Sequence, residues 1–102
     1  MAIGSIMPFR PTGTVSLGAT TTSANVALAG GGDSVVVTNT CTSLAYVRFG
    51  SDTSVVATLA DMPVLPNSRV MLGVNPIIAY AAVVLASGTG SVLLTRGDGS
   101  YL

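Results

Sequence analysis

The side chains able to do chemistry in this chain form a short inventory: Asp33, Asp52, Asp61, Asp98, Cys41, and the arginines at 10, 48, 69 and 96. Histidine, glutamate and lysine are absent. Without histidine there is no Ser-His or Cys-His pair to activate a nucleophile, and no imidazole to bind a metal. Four dispersed aspartates offer a carboxylate pair only if folding brings two together. Cys41 alone makes neither a zinc site nor an intrachain disulfide, and reads best as a small residue in a turn or at a core edge. The glycine run at 30–33, GGGD, lacks the lysine of a phosphate-binding loop and reads as a flexible hairpin loop. Asx-turn hydrogen bonding accounts for the aspartates, each in a turn-forming context. Arg96-Gly97-Asp98 spells a cell-adhesion tripeptide, but a tripeptide arises often by chance, and Asp98-Gly99 is also an ordinary turn. The expectation is a chain that is not an enzyme and takes no metal or cofactor.

Two arginines sit at positions that alternate with apolar residues. Arg48 lies in LAYVRF (44–49) and Arg96 in SVLLTR (91–96). For each, two readings stand side by side. One is a strand-end guanidinium whose head reaches water. The other is an interface arginine paired with Asp52 or Asp61 of another subunit, because an inward or interface-facing charge needs an acceptor.

The elements that would carry these residues are strands. From residue 14 onward, short β-branched or alternating runs are broken by turn residues. Val15 and Leu17 face inward, and Val26 and Leu28 share one face. SVVVTNT (34–40) is a poor helix and a good strand. In LAYVRF, Leu44, Tyr46 and Arg48 share one face, and Ala45, Val47 and Phe49 the other. Residues 54–60 read as a weaker strand. Pro63 and Pro66 hold 61–67 extended and suit a sheet edge. Val70, Leu72 and Val74 point inward from 69–74. PIIAYAAVVLAS (76–87) has helix-like ends, but its β-branched content and lack of any polar stripe favour a strand buried on both faces. Gly88-Thr89-Gly90 then predicts a hairpin into 91–96. The predicted class is all-β: a single antiparallel β-sandwich or jelly roll over residues 13–102, preceded by an extended arm over 1–12. In that arm Ile3, Ile6, Met7 and Phe9, with Arg10 beside them, are candidates for docking on a neighbouring subunit.

Composition indicates where the surface goes. Only 8% of residues are charged, the net charge is zero, and mean hydropathy is +0.71, whereas roughly 25% charged is usual for a soluble domain. The longest nearly apolar run, 77–86, is half of the roughly 20 residues a membrane-spanning helix needs. Zero net charge offers no field to attract nucleic acid or an anionic membrane. Burial of surface against other chains, together with abundant Ser and Thr hydroxyls, would reconcile these values with solubility. A homo-oligomer, most simply a homotrimer, is expected.

The segments AYVRFGSDTSVVATLADMPVLPNSRVML and VVLASGTGSVLLTRGDG resemble small virion proteins of tailed bacteriophages, over residues 34 to 99. The shared features are a VRFG strand, a DMPVLP-like extended segment and a closing SGTG hairpin. The resemblance implies a structural protein of the head surface, of the capsid decoration or cement type, whose partner is the major capsid protein. A tail, head-fibre or host-recognition module is the alternative it leaves. It transfers no catalytic residue. Because the sequence supplies so few metal ligands, thermal melts with and without EDTA are expected to coincide. A chelator-induced fall in Tm would reveal an aspartate site.

Overall fold

The computed structural model describes residues 9–75 and 77–99. These form eight strands and no helix: β1 (Arg10–Ala19), β2 (Ala24–Ala27), β3 (Ser34–Asn39), β4 (Ala45–Gly50), β5 (Met62–Val64), β6 (Ser68–Gly73), β7 (Tyr80–Leu85) and β8 (Gly90–Asp98). They make two antiparallel sheets of four strands, ordered β1-β8-β3-β6 and β2-β7-β4-β5. The pairing is nested. β1 pairs with β8, β2 with β7, β3 with β6 and β4 with β5, and the contacts β3–β8 and β4–β7 complete the sheets. Among these connections only β4–β5 stays within a sheet; all the others cross from one sheet to the other.

The alternation expected of strands decides what lies between the sheets. Leu17 and Ala19 of β1, Val35 and Val37 of β3, and Val92 and Leu94 of β8 face Ala45 and Val47 of β4, Val64 of β5, and Ala81, Val83 and Leu85 of β7 in one buried cluster. Val15, Val26, Leu28, Phe49, Val70, Leu72 and Val74 pack around its margin, on the faces assigned to them from sequence. The all-β class and the two-sheet layout agree with the sequence reading.

β7 shows why its segment reads as a continuous apolar run. Its inner residues enter the main core, while Ala82 and Val84 on its outer face, with Tyr46 of the neighbouring β4, are covered by Val55 and Ala57. The cover is the β4–β5 connection, 51–61. This corrects the expected weak strand at 54–60: no strand forms there. The alternating pattern is present, but side chains rather than a neighbouring strand take up the backbone. Ser54 N–H donates to Asp52 Oδ1 (2.9 Å), Ala57 N–H to Ser23 Oγ (2.9 Å) and Thr58 N–H to Asp61 Oδ2 (2.7 Å). The segment is thereby folded onto the sheet as a flap.

Three other expectations change. The 88–90 turn does not make a hairpin, and neither does GGGD, because β7 and β8 lie in different sheets, as do β2 and β3. Both turns are arches across the core. Gly32 suits its arch because its φ of +133° is open to glycine and a Cβ there would fall on the Gly97 carbonyl. Third, β1 begins at Arg10, so Arg10, Pro11 and Thr12 of the expected arm belong to the domain's own sheet. Pro11 is tolerated because β1 is an edge strand and its register shifts between Pro11 and Gly13. Ile3, Ile6 and Met7 lie outside the described residues.

Asn39 closes one end of the core. It is fully buried at an inward position of β3. Its Nδ2 donates to the carbonyls of Ser43 (2.9 Å), Val64 (3.1 Å) and Leu65 (3.2 Å), and its Oδ1 accepts the Cys41 N–H (2.9 Å). One amide thus ties the β3–β4 arch to the end of β5. Replacing it leaves buried backbone groups unpaired, at about 1–3 kcal/mol per group before relaxation. Asn39→Ala is expected to lower unfolding free energy by about 3 kcal/mol in urea titration. Exposed Asn25, which donates only to the Thr53 carbonyl (2.9 Å), should cost less than about 1 kcal/mol when changed to Ala.

Candidate functional site

Arg96 occupies the inward face of β8, opposite Val35. It is only 3% exposed. Its Nε and Nη2 donate to the Gly32 carbonyl at 3.1 and 2.9 Å, Nη2 also reaches the Asn75 carbonyl at 3.4 Å, and Nη1 donates to the Ile78 carbonyl. The acceptors come from the β2–β3 and β6–β7 connections, so the guanidinium binds two crossing loops to a central strand. Charge-assisted bonds to several carbonyls offset the cost of burying the cation. Both sequence readings of Arg96 give way here: the side chain neither reaches water nor pairs with Asp52 or Asp61. For the same reason Arg96-Gly97-Asp98 is not displayed as a loop tripeptide.

Arg48 differs. Its side chain is 56% exposed and its Nε lies 3.8 Å from Asp61 Oδ1 of the same chain. Asp61 was one of the two acceptors expected for it, but the pair is formed within the chain. Its role is to help hold the flap, where Asp61 also accepts the Thr58 N–H. Asp52, the other expected acceptor, is engaged by the Ser54 hydroxyl and N–H, which hold its carboxyl below the usual carboxylate range. Folding does bring two aspartates near each other: Asp98 Oδ1 accepts the Asp33 N–H at 3.3 Å. No group of three metal-ligating side chains forms among the described residues. Cys41 is buried in the main core with its thiol toward the Ser91 carbonyl (3.5 Å), and burial pushes its pKa up, away from the thiolate a nucleophile needs.

Phe9 and Arg10, expected at an interface, lie at the start of β1. Arg10 is exposed and registers with Asp98. Phe9 is half-buried and, with Pro11, Val36, Thr38, Arg69 and Thr95, lines a cavity of about 200 Å³ on the outer face of the β1-β8-β3-β6 sheet. A second cavity, of about 280 Å³, is lined by Thr38, Asn39, Thr40, Asn67, Ser68 and Arg69. Thr38 and Arg69 contribute to both, so the two adjoin. Sequence reasoning passed over Arg69. Its signal was its place between Ser68 and inward Val70, which sets it on the outer face of β6, but only the strand order shows that the outer surface beside it is hollow.

The other distinctive surface is apolar. Val56, Leu59, Met62 and Leu65 are 56, 64, 45 and 65% exposed. They fall within ten residues of chain, on the flap and along β5, the edge strand in which Pro63 sits opposite Tyr46. Pro63 supplies no N–H, so this edge is suited to contact through side chains.

Comparison of the chain with protein-family models, with curated proteins and with solved structures finds no match.

Arg96→Met is expected to lower unfolding free energy by about 3 kcal/mol, since several buried carbonyls lose their donor. Arg48→Ala, at an exposed pair, should cost less than about 1 kcal/mol. Equilibrium urea unfolding of the two variants checks the contrast. Equal losses would mean that the buried guanidinium does not organise the loops.

Proposed function

We propose that this chain is a jelly-roll structural protein of a tailed-bacteriophage virion, seated on the head surface as a decoration protein that bridges capsid subunits. The strand order supports the jelly roll: nested pairs β1–β8, β2–β7, β3–β6 and β4–β5 are what a long antiparallel ribbon yields when rolled into two sheets. Such double-sheet rolls recur in viral capsid and lectin domains, but a fold alone does not define a function. The observation that carries the reading is four exposed apolar side chains within ten residues of chain, Val56, Leu59, Met62 and Leu65, in a protein with 8% charged residues. Exposed apolar side chains gathered in one region mark contact surfaces. The resemblance over residues 34–99 points the same way.

One observation favours a tail, head-fibre or host-recognition module instead: the cavity beside Arg69 includes Thr38, Asn67 and the Arg69 guanidinium in its lining, polar groups of the kind that contact sugar hydroxyls. Co-sedimentation with heads of the encoding phage distinguishes the two. A decoration protein binds heads, and Leu59→Asp/Leu65→Asp abolishes binding while circular dichroism stays unchanged. Failure to bind heads, or binding indifferent to these substitutions, overturns the reading. Glycan-array binding without head binding would favour the recognition module.

A further inference from the structure

Each sheet of a sandwich has two edges, and here three of the four are blunted. β2 is four residues long, and β5 is three residues long with Pro63 at its centre. β1 carries a register shift, and its Thr12 hydroxyl is engaged with the Gly31 backbone, donating to O at 2.7 Å and accepting from N at 3.0 Å. β6 has none of these protections. It runs six residues in unbroken register with β3, contains no proline, and has a strand neighbour on one side only among the described residues. An edge of this kind presents unpaired N–H and C=O groups to any strand that fits.

Two further features point to what fits. First, β6 is apolar on both faces. Val70 and Leu72 point into the core margin and Met71 points outward, yet all three remain half-exposed. A neighbouring strand would complete their burial. Second, the charges are placed antisymmetrically. Arg69, near the start of β6, is exposed and has no hydrogen-bond or ion-pair partner among the described residues. At the far end, Gly73 registers with Ser34, and exposed Asp33 immediately precedes Ser34 and accepts the Val74 N–H on its carbonyl.

We propose that β6 pairs antiparallel with β6 of a second copy of this chain, across a two-fold axis at Met71, joining two four-stranded sheets into one. In that register Met71 faces Met71 of the second copy, and Val70 faces its Leu72. Arg69 lies opposite Gly73 of the second copy, about 4.8 Å away across the sheet. Gly73 has no side chain to obstruct it, so the guanidinium extends toward Asp33 of the second copy, and the two-fold axis repeats the pair. A register centred on Arg69 would instead set the two guanidinium groups directly opposite, which is unfavourable. The strand is thus complementary to itself, as an isologous contact requires. This contact does not depend on the virion reading, and its test uses the isolated protein.

Sedimentation equilibrium is expected to show a concentration-dependent dimer. R69D and D33R should each weaken association by about tenfold or more, and the double variant R69D/D33R should restore it. Circular dichroism confirms that each variant is folded. Met71→Cys should form a disulfide-linked dimer under mild oxidation, whereas Thr14→Cys, on the edge strand at the other side of the same sheet, should not. A wild-type monomer at the highest soluble concentration, a trimer indifferent to R69D, or a double variant no better than the singles would each overturn the proposal.

Discussion

Two buried polar side chains bound the core of this protein, and the arrangement of its connections depends on them. In the central strands of the first sheet, the inward rows read Val35, Val37, Asn39 on β3 and Val92, Leu94, Arg96 on β8. The strands are antiparallel, with Val35 opposite Arg96 and Asn39 opposite Val92. The apolar middle therefore ends in a guanidinium on one side and an amide on the other. At both ends the chain crosses between the sheets, leaving carbonyls that no ladder satisfies. Arg96 collects those of Gly32, Asn75 and Ile78; Asn39 collects those of Ser43, Val64 and Leu65. No buried side-chain nitrogen or oxygen among the described residues is left without a partner. A sandwich whose connections are nearly all crossings needs such donors, because unpaired buried carbonyls would cost more than the polar side chains that bind them.

The outer faces are handled differently. On the second sheet, the flap of 51–61 turns Tyr46, Ala82 and Val84 into a small second core. Asp52 and Asp61 hold that flap by accepting backbone N–H groups, so half of the chain's aspartates act as loop fasteners. The flap in turn presents Val56 and Leu59 to the outside. The first sheet is left open: its outer face carries threonines, among them Thr14 and Thr95 with hydroxyls 2.9 Å apart, and the hollow beside Arg69.

Much of this was legible in the residues. Alternation identified the inward faces of β1 and β6 and separated the two faces of β4, because a half-buried strand imposes a period of two whatever its partners. The continuous apolar run of 76–87 indicated a strand covered on both faces; its 80–85 part is one, whereas Ile77 lies in a turn and is 73% exposed. Pro63 marked an edge, since a residue without N–H cannot serve a central strand, whereas Pro66 lies in the turn that follows β5 and the extended segment ends before it. The missing histidine, lysine and glutamate limited the chemistry before any fold was known.

What sequence did not contain was which strand lies beside which. A glycine turn between two strands has the same residues whether it closes a hairpin or arches over a core, so the turns at 30–33 and 88–90 read wrongly as hairpins. The segment 54–60 has a strand's alternation but found no edge to join, and its backbone turned to Asp52, Asp61 and Ser23 instead. Arg96 shows the limit most clearly. Its position in β8 made it inward-facing, and an inward charge predicted a carboxylate partner. The partners are backbone carbonyls from two loops 18 to 64 residues away in the chain, and carbonyls carry no signature in the sequence. Strand periodicity is a local property and was determined locally. The pairing order, and the loop ends it gathers around Arg96 and Asn39, are long-range properties set by how the whole chain buries its apolar faces.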